Sequence, residues 1–92
     1  MKTLLISYDL KGLETSDDYK KLIEYIKNYG TWAKPLYSQW FVRTEKTCTT
    51  VRDEIKGEVD SNDKVLVLDV TGINWSAYNL SKEVIEWMNE HL

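Results

Sequence analysis

The carboxylate of Asp9 is the side chain of this sequence that most invites a chemical role. It ends the apolar run "LLISYD", residues 4–9, although Asp is a poor strand residue. Carboxylate oxygens bind Mg²⁺, but one carboxylate gives that octahedral ion few of its ligands. A two-fold dimer would bring two Asp9 side chains together, because such an interface places the same residue on both sides of its axis. Asp9 is thus a candidate metal ligand or interface residue, and the alternative is that it caps the following loop.

The other reactive side chains favour structural interpretations. Asp69 ends a later apolar run, and we expect it to be a polar group at the surface or at an interface. The acidic segment 60–63 lacks the mid-loop Gly and the final Glu of a calcium-binding loop, so it predicts a turn. Cys48 lies on the apolar stripe of a predicted helix, where a thiol acts as a small hydrophobic group. His91 falls in the last turn of a predicted helix, where a cation suits the helix dipole, and no metal role is expected.

The composition indicates one small domain with an acidic surface. The chain has 92 residues, a net charge of -3, four Trp and six Tyr. Aromatic side chains often anchor interfaces, so some of them are candidates for a partner surface. The net charge and the absence of a Lys/Arg run do not favour binding to a nucleic-acid backbone. A local basic edge stays open as an alternative, with members Lys20, Lys21, Lys34 and Arg43.

The sequence predicts a cytosolic protein. Cys48 is the single cysteine, so an intramolecular disulfide cannot form. The first ten residues do not read as a signal peptide, because Asp9 interrupts the apolar run and no small-residue cleavage site follows. No apolar run approaches the ~20 residues of a spanning helix, so no membrane partner is expected.

Hydrophobic periodicity predicts the order β-α-β-β-α-β, followed by one more helix. The predicted elements are a strand over 2–10, a helix over 15–28 capped at Thr15 or Ser16, an edge strand over 31–34, a turn or bulge near Pro35, a strand over 37–44, a helix over 47–59 capped by Thr47, a strand over 65–72 and a helix over about 81–91. This order predicts an α+β, ferredoxin-like domain. Its four-stranded antiparallel sheet has the order 4-1-3-2, with two helices on one face. Residues 1–72 form the predicted core, and residues 73–92 form a tail loop and helix.

The two faces of the predicted sheet differ in their cover. We expect the two helices to lie over Leu4, Ile6, Tyr8, Leu66, Leu68 and Val70. The other face carries Leu5, Ser7, Asp9, Val65, Val67 and Asp69. That face is too apolar to stay wholly in water, so either the tail helix or a second chain is expected to cover it. In this topology Ser38, at the start of the third strand, is expected near Asp9 on the uncovered face.

Three segments resemble the CRISPR-associated Cas-two family. They are "LLISYDL" with its Tyr-Asp strand end, "KPLYSQWFVRT" with its Ser-containing hairpin strand, and the acidic turn and last strand "VDSNDKVLVLDVTG". The resemblance covers roughly residues 1–72. The chain is more similar still to small SinR-like proteins, which have Ser-x-Trp in the third strand and a C-terminal Trp. The tail departs from the Cas-two pattern, since a loop with Trp75 and a helix replace a strand that pairs with the partner subunit in many members.

The resemblance implies a homodimer in which Asp9 of each chain faces a shared cleft. Two functions follow from it. In the first, the protein is a binding or scaffold module without catalysis, as several members of the resembled family are. In the second, it is an endonuclease acting on DNA or RNA, in which the two Asp9 carboxylates hold one Mg²⁺ or Mn²⁺ and Ser38 supports the metal ligands or contacts the phosphate. The sequence leaves both open.

Overall fold

The computed structural model describes residues 1–10 and 16–92, with the side chains of 1–10 and 19–92. Its elements are β1 (Lys2–Asp9), α1 (Ser16–Lys27), β2 (Trp32–Leu36), β3 (Gln39–Thr44), α2 (Cys48–Lys56), β4 (Lys64–Asp69) and α3 (Lys82–His91). The predicted α+β class is confirmed, with a four-stranded antiparallel sheet and three helices. Among the described residues, no helix has the length and apolar character needed to cross a bilayer.

The strand β1 lies inside the sheet, between β3 and β4. The strand order is β2-β3-β1-β4, which reads β4-β1-β3-β2 from the other edge. β1 pairs antiparallel with β3 from Lys2↔Thr44 to Ser7↔Gln39, and with β4 from Leu4↔Asp69 to Asp9↔Lys64. β2 and β4 are therefore the two edge strands, and each has one side without a neighbouring strand.

The helices α1 and α2 cover one face of the sheet, called here the helix-pair face. Its buried cluster comprises Leu4, Ile6, Tyr8, Leu22, Ile26, Trp40, Val42, Val51 and Ile55. The helical members recur four residues apart, which is the spacing that places an apolar stripe on one side of a helix. The indole N–H of Trp40 donates to the Tyr8 hydroxyl at 3.1 Å, so the largest buried side chain of this face has its polar atom satisfied.

The helix α3 packs on the opposite face, called here the α3 face. A smaller buried cluster forms there, with members Ala33, Phe41, Val70 and Met88. The Trp87 ring stacks on Phe41 with ring centroids 5.9 Å apart, and its indole N–H donates to the Thr31 hydroxyl at 2.9 Å. Ser81 caps the helix by accepting a hydrogen bond from the Val84 amide. The tail helix therefore covers part of its own sheet.

The element boundaries differ from the predicted ones at several places; β3 begins at Gln39 rather than residue 37, and β4 ends at Asp69 rather than residue 72. α2 ends at Lys56 rather than near residue 59, and Thr47 is its N-cap as predicted. β2 continues through Pro35, where its pairing with β3 becomes irregular, as an edge strand permits. Of the predicted turn or bulge near Pro35, the turn is wrong, because the chain reverses at residues 37–38, and the bulge agrees with the register shift between Ala33 and Leu36. α1 begins at Ser16, and the predicted cap at Thr15 lies outside the described residues.

The predicted facing of β4 is wrong. Val65 and Val67 pack against the helix-pair core, whereas Leu66 and Leu68 face the other side. The segment "VLVL" is apolar at every position, so alternation alone cannot choose between its faces. The pairing with β1 determines which side chains of β4 face the helix pair, because Val67 lies directly opposite the buried Ile6.

Candidate functional site

Asp9 lies exposed at the end of β1, opposite Lys64 in the ladder with β4. Its side chain shares the α3 face with those of Leu5 and Ser7, since alternate residues of a strand point the same way. A shallow depression of about 180 Å³ adjoins it, lined by Ser7, Tyr8, Asp9, Lys64, Val65 and Leu66. The carboxylate therefore stands beside a cation at the rim of the sheet.

Ser38 is not brought together with Asp9 on one face. Its carbonyl accepts a hydrogen bond from the Tyr8 amide at 3.1 Å, so Ser38 follows the row of Tyr8 rather than that of Asp9. The Ser38 side chain hydrogen-bonds the hydroxyl of Tyr19 from α1. Burial is the main cause that raises the pKa of that phenol. The predicted pairing of Asp9 with Ser38 fails by one residue of register, which is enough to change the face.

Asp69 is distant from Asp9, as the sequence predicts, but it does not share the face of Asp9. It pairs with Leu4, five positions of β1 away from Asp9, which corresponds to roughly 16 Å at the usual rise of a strand. Its carboxylate accepts hydrogen bonds from the Thr71 hydroxyl at 2.7 Å and the Thr71 amide at 3.0 Å. These two bonds hold the pKa of Asp69 below its ordinary value. The carboxylate orders the chain where β4 ends.

Among the described residues, the donor set around Asp9 does not fit a divalent cation. No three His, Cys, Asp or Glu side chains of this part of the chain gather where they could hold a metal ion. The ladder neighbour of Asp9 is Lys64, a cation.

The predicted basic edge is divided between the two faces. Arg43 donates to the Thr3 hydroxyl at 2.8 Å on the α3 face. The Lys34 amine lies on the other side, 5.3 Å from the ring centroid of the buried Trp40 and 4.9 Å from that of Tyr37. These cations therefore do not form one continuous surface.

A latch joins α3 to the sheet. The Thr3 side chain is fully buried, and its hydroxyl donates to the His91 carbonyl at 2.5 Å. Arg43 reaches the same carbonyl at 3.4 Å, so a cation sits at the negative end of the helix dipole. The His91 ring packs against Trp87, with centroids 4.5 Å apart. This latch, formed by Thr3, Arg43 and the His91 carbonyl, fixes α3 over β1 and β3.

The helix α3 does not cover β4. Leu66 and Leu68 remain 57% and 42% exposed, although Leu5 on the neighbouring strand packs against the α3 cluster. Because β4 is an edge strand, its outer side is open as well. We call the side chains of Leu66 and Leu68, together with the outer edge of Lys64–Asp69, the β4 surface.

A groove runs beside the β4 surface on the side of α2. One cavity of about 420 Å³ is lined by Arg52, Lys56, Val59, Asp60, Ser61, Asp63 and Val65. A second, of about 270 Å³, is lined by Cys48, Thr49, Arg52, Val65, Leu66 and Val67. Arg52 and Val65 belong to both, so the two cavities adjoin along the strand. Sequence reasoning missed this region, and the doubly apolar pattern of "VLVL" was the signal that could have indicated it.

Comparisons of the chain with protein-family models, with curated proteins and with solved structures found no match.

Proposed function

We propose that the protein is a small homodimeric binding or scaffold module with a ferredoxin-like, Cas-two-like fold. The strand order β2-β3-β1-β4, with two helices over one face, supports the fold assignment. The third helix takes the place of the strand that many Cas-two proteins use against their partner. The resemblance of the first 72 residues supports the family assignment.

The exposed leucines of the β4 surface carry the dimer proposal. Leu66 and Leu68 stand two residues apart on one face of an edge strand, beyond the reach of α3. Neighbouring apolar side chains left in water beside covered central strands are typical of an interaction site. An isologous interface through this surface would remove both leucines of each chain from water.

Sedimentation velocity at micromolar concentration tests this proposal. We expect the wild type to sediment as a dimer and the Leu66→Lys, Leu68→Lys variant as a monomer, because buried lysines would be unpaired in the interface. Leu36→Lys is the matched control, since Leu36 is 55% exposed on the opposite edge strand, and this variant should stay dimeric. A monomeric wild type, or equal dissociation of the two variants, contradicts the proposal.

The second candidate function is a metal-dependent endonuclease with Asp9 at its centre. The observation that favours it is the exposed position of Asp9 in the depression that also contains Leu66, on the face that a second chain packed face to face would share. The test compares wild type with Asp9→Asn on single- and double-stranded DNA and RNA, in the presence of Mg²⁺ or Mn²⁺. Asp53→Asn, at an exposed position of α2, is the control. Equal cleavage by wild type and Asp9→Asn, or none by either, contradicts this function.

A further inference from the structure

The two edge strands of the sheet differ in how well they resist pairing with another strand. β2 contains Lys34 and Pro35, and its ladder to β3 is irregular between Ala33 and Leu36. Proline, lysine and bulges are the usual devices that protect an edge strand. β4 has neither a proline nor an irregularity in its ladder to β1, and its lysine, Lys64, stands at the first position rather than within the strand. Its edge is therefore the less protected one.

The main-chain groups of β4 that point outward can be assigned from the hydrogen bonds. The Val70 amide donates to the Thr3 carbonyl at 2.9 Å, towards β1. Alternate residues of a strand direct their main-chain groups to the same side, so those of Leu66 and Leu68 also turn to β1. The N–H and C=O groups of Val65 and Val67 then turn outward. Among the hydrogen bonds of the described residues, none reaches these outer groups.

We propose that the β4 strand of a second copy of this chain adds antiparallel to this edge, so that one sheet continues through both chains. The inference rests on the homodimer of the proposed function and specifies its interface. Main-chain hydrogen bonds from Val65 and Val67 would supply the pairing, and the exposed leucines would supply the apolar contact.

The side chains select one register for this pairing. Residues directly opposite each other in an antiparallel ladder share a face, so the two-fold axis must pass through a residue. An axis through Val67 sets Leu66 opposite Leu68 of the second copy, twice by symmetry. An axis through Leu66 would instead set Lys64 opposite Leu68 and place a cation in the apolar contact. The axis through Val67 is therefore the favoured one.

The charges of the groove agree with this register. With the axis at Val67, Asp69 of the second copy lies opposite Val65. Val65 and Arg52 together line both cavities of the groove. The larger one is balanced in charge, with Lys56 beside Arg52 and with Asp60 and Asp63, whereas Arg52 is the one charged residue, among those described, that lines the smaller cavity. The carboxylate is thus brought to the side of the groove where Arg52 is the lining charge, and the symmetry repeats the contact. Complementary charges of this kind fix the register of an interface.

Disulfide cross-linking tests the register. Leu66→Cys and Leu68→Cys are made separately in a Cys48→Ser background, then mixed and oxidised with oxidised glutathione. Opposed residues of a non-hydrogen-bonded antiparallel pair come close enough for a disulfide. We expect the mixture to give a covalent dimer and each variant alone to give on the order of tenfold less. Leu36→Cys in the same background is the control and should not cross-link.

The outcomes separate this inference from the proposed function. A covalent dimer of Leu66→Cys alone at the level of the mixture overturns the register. Absence of the mixed cross-link, while sedimentation still shows a dimer, overturns edge pairing and leaves the homodimer standing. A wild type that sediments as a monomer overturns both.

Amide exchange of the wild type, followed by NMR at increasing concentration, supplies an independent readout without substitutions. In a monomer the Val65 and Val67 amides face water, and those of Leu66 and Leu68 are bonded to β1. We expect Val65 and Val67 to slow by about tenfold or more as dimer forms, with Leu66 and Leu68 protected throughout. Equal slowing at all four positions indicates packing of the sheets face to face and overturns the inference.

Discussion

The two faces of the sheet are built from similar apolar strands but are covered to different extents. On the helix-pair face, α1 and α2 leave Trp40 only 2% exposed and bury eight further side chains of the same cluster. On the α3 face, the helix buries Phe41 and Met88 but leaves Leu66 and Leu68 in water. The comparison teaches that alternation along a strand specifies which side chains share a face, whereas the number of covering helices decides whether that face is core or surface.

Simple dimensions explain the difference. A helix with its side chains is about 10–12 Å wide and neighbouring strands lie ~4.8 Å apart, so one helix covers about two strands. Two helices suffice for a four-stranded sheet, and one does not. The latch through Thr3 and Arg43 holds α3 over the side of β2, β3 and β1, so β4 is the strand left uncovered.

The largest expected effect on stability comes from a substitution in the core of the helix-pair face. Trp40→Ala should lower the free energy of unfolding by about 3–5 kcal/mol, because it leaves a cavity and removes the partner of the Tyr8 hydroxyl. Urea denaturation measures the loss. Trp32→Ala is the matched control. The Trp32 ring packs against that of Trp40, with ring centroids 5.1 Å apart, but the residue is 37% exposed. This substitution should cost less than half as much, and equal losses would contradict the assigned core.

An intermediate effect is expected from loosening the α3 face at its latch. Thr3→Val keeps the shape of the side chain but leaves the His91 carbonyl and Arg43 without their shared hydroxyl. We expect a loss of about 1–3 kcal/mol in the free energy of unfolding. Near-ultraviolet circular dichroism should also report a changed environment of Trp87. Thr3→Ser retains the hydroxyl and should keep most of the signal; if it behaves like Thr3→Val, the hydrogen bonds are not the cause.

The smallest effect concerns the rim of the helix-pair face and depends on pH. The Lys46 amine at 2.8 Å and the Tyr29 hydroxyl at 2.6 Å hold the pKa of Glu54 below its ordinary value. A lowered pKa gives stability that is present above the ordinary value of about 4.3 and is lost as the pH falls through the folded-state value. Glu54→Gln should therefore cost less than about 1 kcal/mol at pH 7, since the ion pair is partly exposed.

Urea denaturation of wild type and Glu54→Gln over a series of pH values checks this prediction. The difference between the two stabilities should shrink as the pH falls below the ordinary value of about 4.3 and should vanish below the lowered folded-state pKa. Parallel curves across that range would show that the ionised carboxylate contributes nothing to the fold.

The sequence was sufficient for features that depend on local pattern. The row of β1 that faces the helix pair, with Leu4 and Ile6, was predicted from the period-two alternation of the strand. The cap at Thr47 was predicted because a threonine side chain can accept a hydrogen bond from a nearby amide.

Features that depend on register or on competition between elements could not be predicted. The facing of β4 follows from its alignment with β1, which "VLVL" does not encode. Ser38 was expected beside Asp9, but the turn at residues 37–38 sets it one position away. The edge strand was expected to end at residue 34, before a turn or bulge near Pro35; β2 instead continues through Pro35 with an irregular ladder, because an edge strand tolerates a residue that lacks the amide hydrogen.

The irregular stretch around Pro35 also determines how large an assembly can become. If both edges of the sheet accepted strands, each added chain would offer a fresh docking place and growth would continue into a fibre. Here the β2 edge is protected from pairing by Lys34 and Pro35. In the proposed dimer, pairing at β4 occupies the edge that permits growth, so the sheet would end after two chains.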